Sequence, residues 1–470
     1  MLWCFPPIPD EPVERVRRPV VRRPQRWKTD ADPHSLAIDP PSTTGPDVGV
    51  RSVTLSLAHR ADRFPDRTAV VDISERRLHA PAETIHEDRV SYGELSTIAE
   101  RTAERLSTLA IGPGETVCLV TRNRVVALAL FFACRRLGAT FAPISYLLTP
   151  ATVERPFDVL EPDLVVSEAA QRDLVRSIPF DRAVTLEELS ETERDDVDAD
   201  ERPSMENPLL ALHGDTGRPV AGYSPDAIER NCLTSVAAWG VAANDTVPLT
   251  APLSTAAGLV RVALSVLYVG GTLLLDRAFD PGDALAAIAE ERATLLAGRE
   301  TVLRDLAAES GFEDAAESLE RAICEAPVGD DVVAAYRECG VPIARVYGCL
   351  ECPTALSQGF EIESDSAGAD VDGTAVGRPV PDCRARLVDG GGEPLEGEAD
   401  GRLQLSGPML ADGYVTARGA DVENWDEPAE LERDEHDESD ERSDRGRFID
   451  GWFDTADRFR RDGDGNYVRR

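Results

Sequence analysis

Lysine is all but absent from this chain: Lys28 is the only one, and arginine supplies every other fixed cation. Positive charge is scarce altogether, with 50 basic residues against 86 acidic ones and a formal net charge of −36. A balance this acidic argues against nucleic acid and anionic membranes as partners, because both present negative charge. It reads as adaptation to molar salt, where a screening length of about 3 Å makes such charge density tolerable. A GC-rich genome would add to the arginine preference, and the expectation is a halophilic, cytoplasmic protein. Long hydrophobic runs are lacking too. The longest purely apolar stretch, VVALALFFAC at 125–134, is too short for a membrane span and ends at Arg135–Arg136, which predicts a buried helix. The opening MLWCFPPIPDEP has no basic n-region and is broken by proline, unlike a signal peptide. Nine cysteines form no disulfide framework, which fits reduced thiols. The six histidines make no ligand cluster. Cys349 and Cys352 form a single C-x-x-C, for which two small buried residues are favoured over a zinc or redox pair.

What is present fills 470 residues, enough for about three structural units. Residues 1–50 are rich in proline and arginine and are expected to be poorly ordered. From 51 to 190 the pattern is a first α/β subdomain. TAVVD (68–72) is a predicted strand, and a capping box of Ser91 with Glu94 opens a helix that Gly112–Pro113–Gly114 should stop. TVCLV (116–120), a helix over 125–136 and ATFAPIS (139–145) continue the alternation, which implies right-handed crossovers and mostly parallel strands. After the acidic connection 191–203, a second α/β subdomain is expected over 204–364, with strands PLLALH and TLLL (272–275) and a helix from Pro281. Residues 365–470 change to short strands and turns, a small β-rich subdomain interrupted by the charged insertion 426–447.

Within the second stretch, LLALHGDTGRPVAGYS (209–224) is an apolar run that breaks into a glycine-rich loop and restarts as a helix. Loops of this kind hold phosphates. Three further segments follow in order: VYGCLE (346–351), GRLQLSGPMLADGY (401–414) and DGWFDTADRFRRDGDGNYV (450–468), with echoes in PLSTAAGL (252–259) and AICEAPV (322–328). Together, over roughly residues 53–470, they resemble the adenylate-forming superfamily of acyl- and aryl-CoA synthetases, luciferases and peptide-synthetase adenylation domains. The resemblance implies two stacked α/β subdomains with mostly parallel sheets and a β-rich subdomain shaped as a distorted barrel. It implies an ATP-dependent ligase that converts a carboxylic acid to an acyl-adenylate with Mg²⁺, then passes the acyl group to a thiol such as coenzyme A. Gly214, Asp215, Thr216 and Gly217 would form the phosphate loop, with Arg218 beside it. Tyr347 and Gly348 would meet the adenine, as would the turn Ala326–Pro327. Glu351 would hold Mg²⁺, and Asp457 would accept the ribose hydroxyls.

Measured against that family the chain departs at several such positions. Its phosphate loop has His213 and Asp215 in place of Ser/Thr, and Val220–Ala221 in place of Lys-Gly. A carboxylate about 4 Å from a phosphate charge costs roughly 4 kcal/mol at an effective dielectric near 20, before screening. Arg218, or His213 if protonated, is expected to compensate in part. Leu350, Ala456, Arg402, Thr255 and the pair Cys324–Glu325 are further departures. The chain also stops before the family's C-terminal lid, whose lysine serves adenylation, so weak activity or a separate lid or partner protein is expected. The competing reading is an inactive nucleotide- or acyl-binding regulator or scaffold. The acid pocket, expected around 230–260 and 322–350, is mostly small and apolar, which suggests an apolar acid.

Overall fold

The computed structural model describes residues 55–74, 78–79, 84–85, 88–178, 180, 182–193, 207–360, 374–416 and 446–470. These lie in one compact unit, Val53–Arg470. The expected arm 1–50, most of the acidic connection and nearly all of the insertion 426–447 fall outside the described residues.

Two α/β sheets carry the fold. The first has seven strands, ordered 413–414, 220–223, 210–213, 140–145, 116–121, 164–167 and 183–185. Its centre is parallel, and all six residues of Thr116–Thr121 are buried, which explains why this strand reads as an apolar run rather than an alternation. Beside it the helix Tyr92–Thr108 opens with the expected capping box, Ser91 and Glu94 each satisfying the other's backbone N–H. That helix ends at Leu109, ahead of Gly112–Pro113–Gly114; Ala110 takes a left-handed φ of 56° and turns the chain without a glycine. The apolar helix Val125–Leu137 is buried along nearly its whole length and belongs to the largest core cluster.

The second sheet holds fifteen strands among the described residues. It runs from 394–395 through 384–388, 399–406, 452–461, 467–469, 375–379, 356–357, 343–347, 321–325, 295–299, 246–249, 272–275 and 68–72 to 89–91, with 447–449 pairing 452–461. The short strand Leu356–Ser357 is the bridge, antiparallel both to Ile343–Tyr347 and to Ala375–Pro379. Through it the β-rich segment continues the second α/β sheet. The expected distorted barrel is therefore corrected: among the described residues these strands form an open extension with no closure. Strands are also exchanged across the connection. Thr68–Asp72 pairs in parallel with Thr272–Leu275 in the large sheet, while Leu210–His213 joins the small sheet beside Phe141. No helix among the described residues is long and apolar enough to cross a membrane.

Candidate nucleotide-activating site

The glycine-rich segment is the turn of a β-hairpin. Leu210–His213 and Val220–Tyr223 pair antiparallel, His213 opposite Val220, and the helix begins only at Pro225. The expected direct restart as a helix is thus corrected to a second strand first. Gly217 has φ +90°, and a Cβ there would press on Pro156 and the Thr152 carbonyl at 2.9 Å, so glycine is required by the turn's own packing. Asp215 and Thr216 stand exposed at the tip. Val220 and Ala221, where the family pattern has Lys-Gly, point into the core.

Both expected compensating cations already have partners within the protein. Arg218 places Nη2 3.2 Å from Asp158 Oδ2 and donates from Nε to the Arg155 carbonyl at 3.2 Å. His213 is buried and neutral. The Ser145 N–H donates to its Nε2 at 3.0 Å, so the ring proton sits on Nδ1, which donates to the Gly214 carbonyl at 2.7 Å. Burial holds this imidazole below its ordinary pKa, against smaller opposing pulls from Gly214 and Asp215. Unfolded histidine titrates near ~6.5. Below that pH the unfolded chain takes up a proton that the folded chain refuses, so stability falls as the pH drops through the window beneath 6.5. His213→Gln, which keeps an acceptor for Ser145, removes that part of the slope, at most about 1.4 kcal/mol per pH unit. Urea unfolding of both proteins at several pH values measures it, and identical pH dependence would refute the assignment.

The hairpin meets the second motif through the third. Gly413–Tyr414 pairs with the hairpin strand, Ala221 opposite Tyr414. The Tyr414 hydroxyl donates to Glu351 Oε1 at 2.7 Å, the Ala411 N–H donates to the Glu351 carbonyl at 2.8 Å, and the Tyr223 hydroxyl donates to the Leu350 carbonyl. Three segments far apart in sequence are thus laced together around Glu351. Burial raises the Glu351 pKa, partly offset by the Tyr414 hydrogen bond. No group of three or more His, Cys, Asp or Glu side chains among the described residues is set to hold a metal. A single buried carboxylate fits Mg²⁺ only in the manner usual for that ion, shared with substrate phosphates and water. Cys349 and Cys352 flank Glu351; burial pushes the Cys349 thiol well up, and at Cys352 a hydrogen bond with Cys383, followed by burial, does the same. Both are therefore poor nucleophiles.

Tyr347 ends the strand Ile343–Tyr347, and its hydroxyl donates to Asp457 Oδ2 at 2.6 Å. Its ring packs edge-on against Phe459, with centroids 4.9 Å apart. Asp457 lies on the long strand Trp452–Arg461, and Arg469 Nη2 sits 3.1 Å from its Oδ1. Ala326 packs against the same cluster and donates its N–H to the Val346 carbonyl at 3.0 Å. Pro327 beside it is exposed. Gly348 is glycine because a Cβ would strike the Pro353 carbonyl and the Arg261 guanidinium. The structure therefore unites Tyr347 with Asp457 and separately joins Glu351 to the hairpin strand.

One part of the expected acid pocket is not apolar. Arg261 lies in the π-helix Ala256–Leu264, only 6% exposed, and pairs with Glu325 at 2.6 Å while donating to the Pro353 carbonyl. Burial alone would raise the Glu325 pKa, but Arg261, with help from Arg299, brings it below the usual value. Around Arg261 the lining is Trp239, Val241, Val262, Val266, Leu295 and Ile323, enclosing about 10 Å³, room for one water. Sequence reasoning missed Tyr414, Arg261 and Arg469 as members of the site. Tyr414 had a signal, as the last residue of a quoted motif; Arg469 had none.

Residues 57–415 match the family described as AMP-binding enzyme. Among curated proteins the chain is similar to feruloyl-CoA synthase of Amycolatopsis sp, 28% identical over 397 residues that cover 83% of this chain and 74% of that protein. It is also 28% identical to indoleacetate–CoA ligase of Aromatoleum aromaticum over 420 residues, covering 85% and 76%. Among solved structures it resembles o-succinylbenzoate coenzyme A synthetase from Bacillus subtilis in complex with ATP and magnesium ion, with a TM-score of 0.71 at 18% identity, covering 88% of this chain and 78% of that one. The N-terminal domain of FACL13 from Mycobacterium tuberculosis gives 0.70 at 19% identity, covering 88% and 98%.

Proposed function

The chain belongs to the AMP-binding enzyme family, and from that premise we propose that it activates an apolar aryl or acyl carboxylic acid with ATP. A carboxylate oxygen attacks the α-phosphorus, the bond to pyrophosphate breaks, and an acyl-adenylate forms; a thiol such as coenzyme A then takes the acyl group and AMP leaves. The observation that carries this reading is the Tyr347–Asp457 hydrogen bond, which brings two matched motifs together across 110 residues of sequence. In this reading Asp457 receives the ribose, while Tyr347 and the Ala326–Pro327 turn border the adenine. Gly214 to Gly217 approach the phosphates with the Thr216 hydroxyl. Glu351 would share a Mg²⁺ with the phosphates, where the cation neutralises their charge. The aryl acids named in the two relatives support the apolar acid. The charge of −36 supports work in concentrated salt.

The phosphate grip is weak in this reading, because Asp215 stands at the hairpin tip, His213 is neutral and Arg218 is shared with Asp158. That reasoning gives the test. Pyrophosphate release from Mg-ATP is followed with aryl and aliphatic acids, in parent and Asp215→Thr, from 0.1 to 3 M KCl. The parent should release pyrophosphate slowly with at least one acid class. Asp215→Thr should lower the KM for ATP about tenfold at low salt and less at 3 M, where screening already mutes the carboxylate. No acid-dependent release from either protein, with nucleotide binding intact, would sink the enzymatic reading.

A further inference from the structure

Arg469 falls in no motif that points to the nucleotide, yet it touches both residues that carry the nucleoside reading. It lies on the strand Tyr467–Arg469, which pairs with Trp452–Arg461 so that Arg469 stands opposite Phe459, two residues from Asp457. From there Nη2 reaches Asp457 Oδ1 at 3.1 Å, and the guanidinium lies over the Tyr347 ring, 5.7 Å from its centroid. Asp457 thus receives Tyr347 on one oxygen and Arg469 on the other. Its backbone N–H donates to Thr455 Oγ1 at 3.2 Å, so the strand also fixes where the side chain starts.

A carboxylate offers about four acceptor positions, two on each oxygen. One on each is taken internally, which leaves one on each. The Asp457 side chain is 34% exposed, so the remaining positions are open to a ligand. Two adjacent acceptors held in a fixed plane suit the two hydroxyls of a cis-diol. With Tyr347 alone, the carboxylate could still turn about its last torsion, whose well is broad. A donor on each oxygen stops that turn. We propose that Arg469 is a positioning residue for nucleoside recognition, holding the Asp457 carboxylate so that its free lone pairs face the ribose 2′- and 3′-hydroxyls. The inference rests on the reading of Asp457 given above, and it adds a residue and a mechanism to it.

The experiment compares AMP with 2′,3′-dideoxy-AMP by calorimetry for the parent, Arg469→Gln and Arg469→Lys, with melting temperatures as a control on folding. The parent should bind AMP more tightly than the dideoxy compound. Arg469→Gln should weaken AMP about tenfold and leave the dideoxy compound within twofold, because the loss passes through the diol; Arg469→Lys should recover part of it. Equal weakening of both ligands would make Arg469 a general electrostatic contact and overturn the proposal. Tighter AMP binding in Arg469→Gln would make it a competitor for the site and also overturn it, as would no change in either ligand. A parent that binds neither compound, or binds both alike, would remove the role of Asp457 and this proposal with it. That outcome is distinct from a parent that discriminates while Arg469→Gln is silent, which overturns the role of Arg469 alone.

Discussion

Asp457→Ala should abolish measurable Mg-ATP and AMP binding, with at least a 100-fold rise in Kd by calorimetry in molar KCl. Two hydrogen bonds from ribose hydroxyls to a carboxylate are at stake, each worth about 1.5–3 kcal/mol when one partner is charged. Their combined loss, about 3 kcal/mol or more, corresponds to a factor of 100 and above. The same truncation also strips the buried Tyr347 hydroxyl of its acceptor, and an orphaned buried donor costs about 1–3 kcal/mol of stability. Loss of binding in the alanine variant could then follow from a disturbed fold. Asp457→Asn separates the two effects, since its amide oxygen still accepts from Tyr347 while the charge and the oxygen that accepts from Arg469 are gone. That half-exposed ion pair contributes little to stability. It should melt close to the parent and still bind nucleotide much more weakly. Binding by Asp457→Asn at parental affinity would remove the carboxylate from nucleotide recognition.

Asp245→Ala should cost about 3–5 kcal/mol of stability, the range for breaking a buried charge pair from one side. The Asp245 side chain is 1% exposed and fully engaged. Oδ2 accepts from Arg321 Nη2 at 2.7 Å and from the Ala242 N–H at 2.8 Å; Oδ1 accepts from the Thr294 hydroxyl at 2.7 Å. Arg321 in turn donates to the Trp239 and Gly240 carbonyls at 2.9 and 3.2 Å. One carboxylate therefore ties the end of the helix Pro225–Trp239 to the starts of three neighbouring strands. With alanine there, the guanidinium keeps its two carbonyls but loses its buried carboxylate partner, and two further donors lose their acceptor, in a place water hardly reaches. Against a typical total of about 5–15 kcal/mol, that is a large share. Because the pair is buried, salt should not screen the effect away, so the loss should appear at 0.5 M and at 3 M KCl alike. Urea unfolding measures it. A change below about 1 kcal/mol would show that the network is replaced by water or by relaxation of the loop.

The elements whose identity depends on neighbours in sequence were legible. The capping box at Ser91, the apolar helix from Val125 and the buried strands at 68–72, 116–121 and 272–275 follow from short-range pattern, because capping and hydrophobic periodicity act within a few residues. The four motif segments and their order were equally legible, and with them the family. Ambiguity arose where a local pattern has two physical uses. Gly217 reads as an opening for a phosphate, and the turn's own packing against Pro156 and Thr152 also requires it. Arg218 and His213 read as spare cations, but Asp158, sixty residues away, and the Ser145 amide decide what they do.

By itself, then, the sequence determined the α/β class, the alternation of strands and helices in the first subdomain, the motif segments and the strongly acidic charge. Each of these is a matter of composition or of spacing along the chain. Tertiary structure alone decided that the β-rich segment continues the large sheet through Leu356–Ser357, since strand pairing depends on edges that meet only in the folded chain. It alone decided that Val220 faces the core, that Arg261 places a charge pair in an otherwise apolar lining, and that Arg469 reaches Asp457. The direction of a side chain and the partner of a charge are set by what packs across from them, and no spacing in the sequence records that.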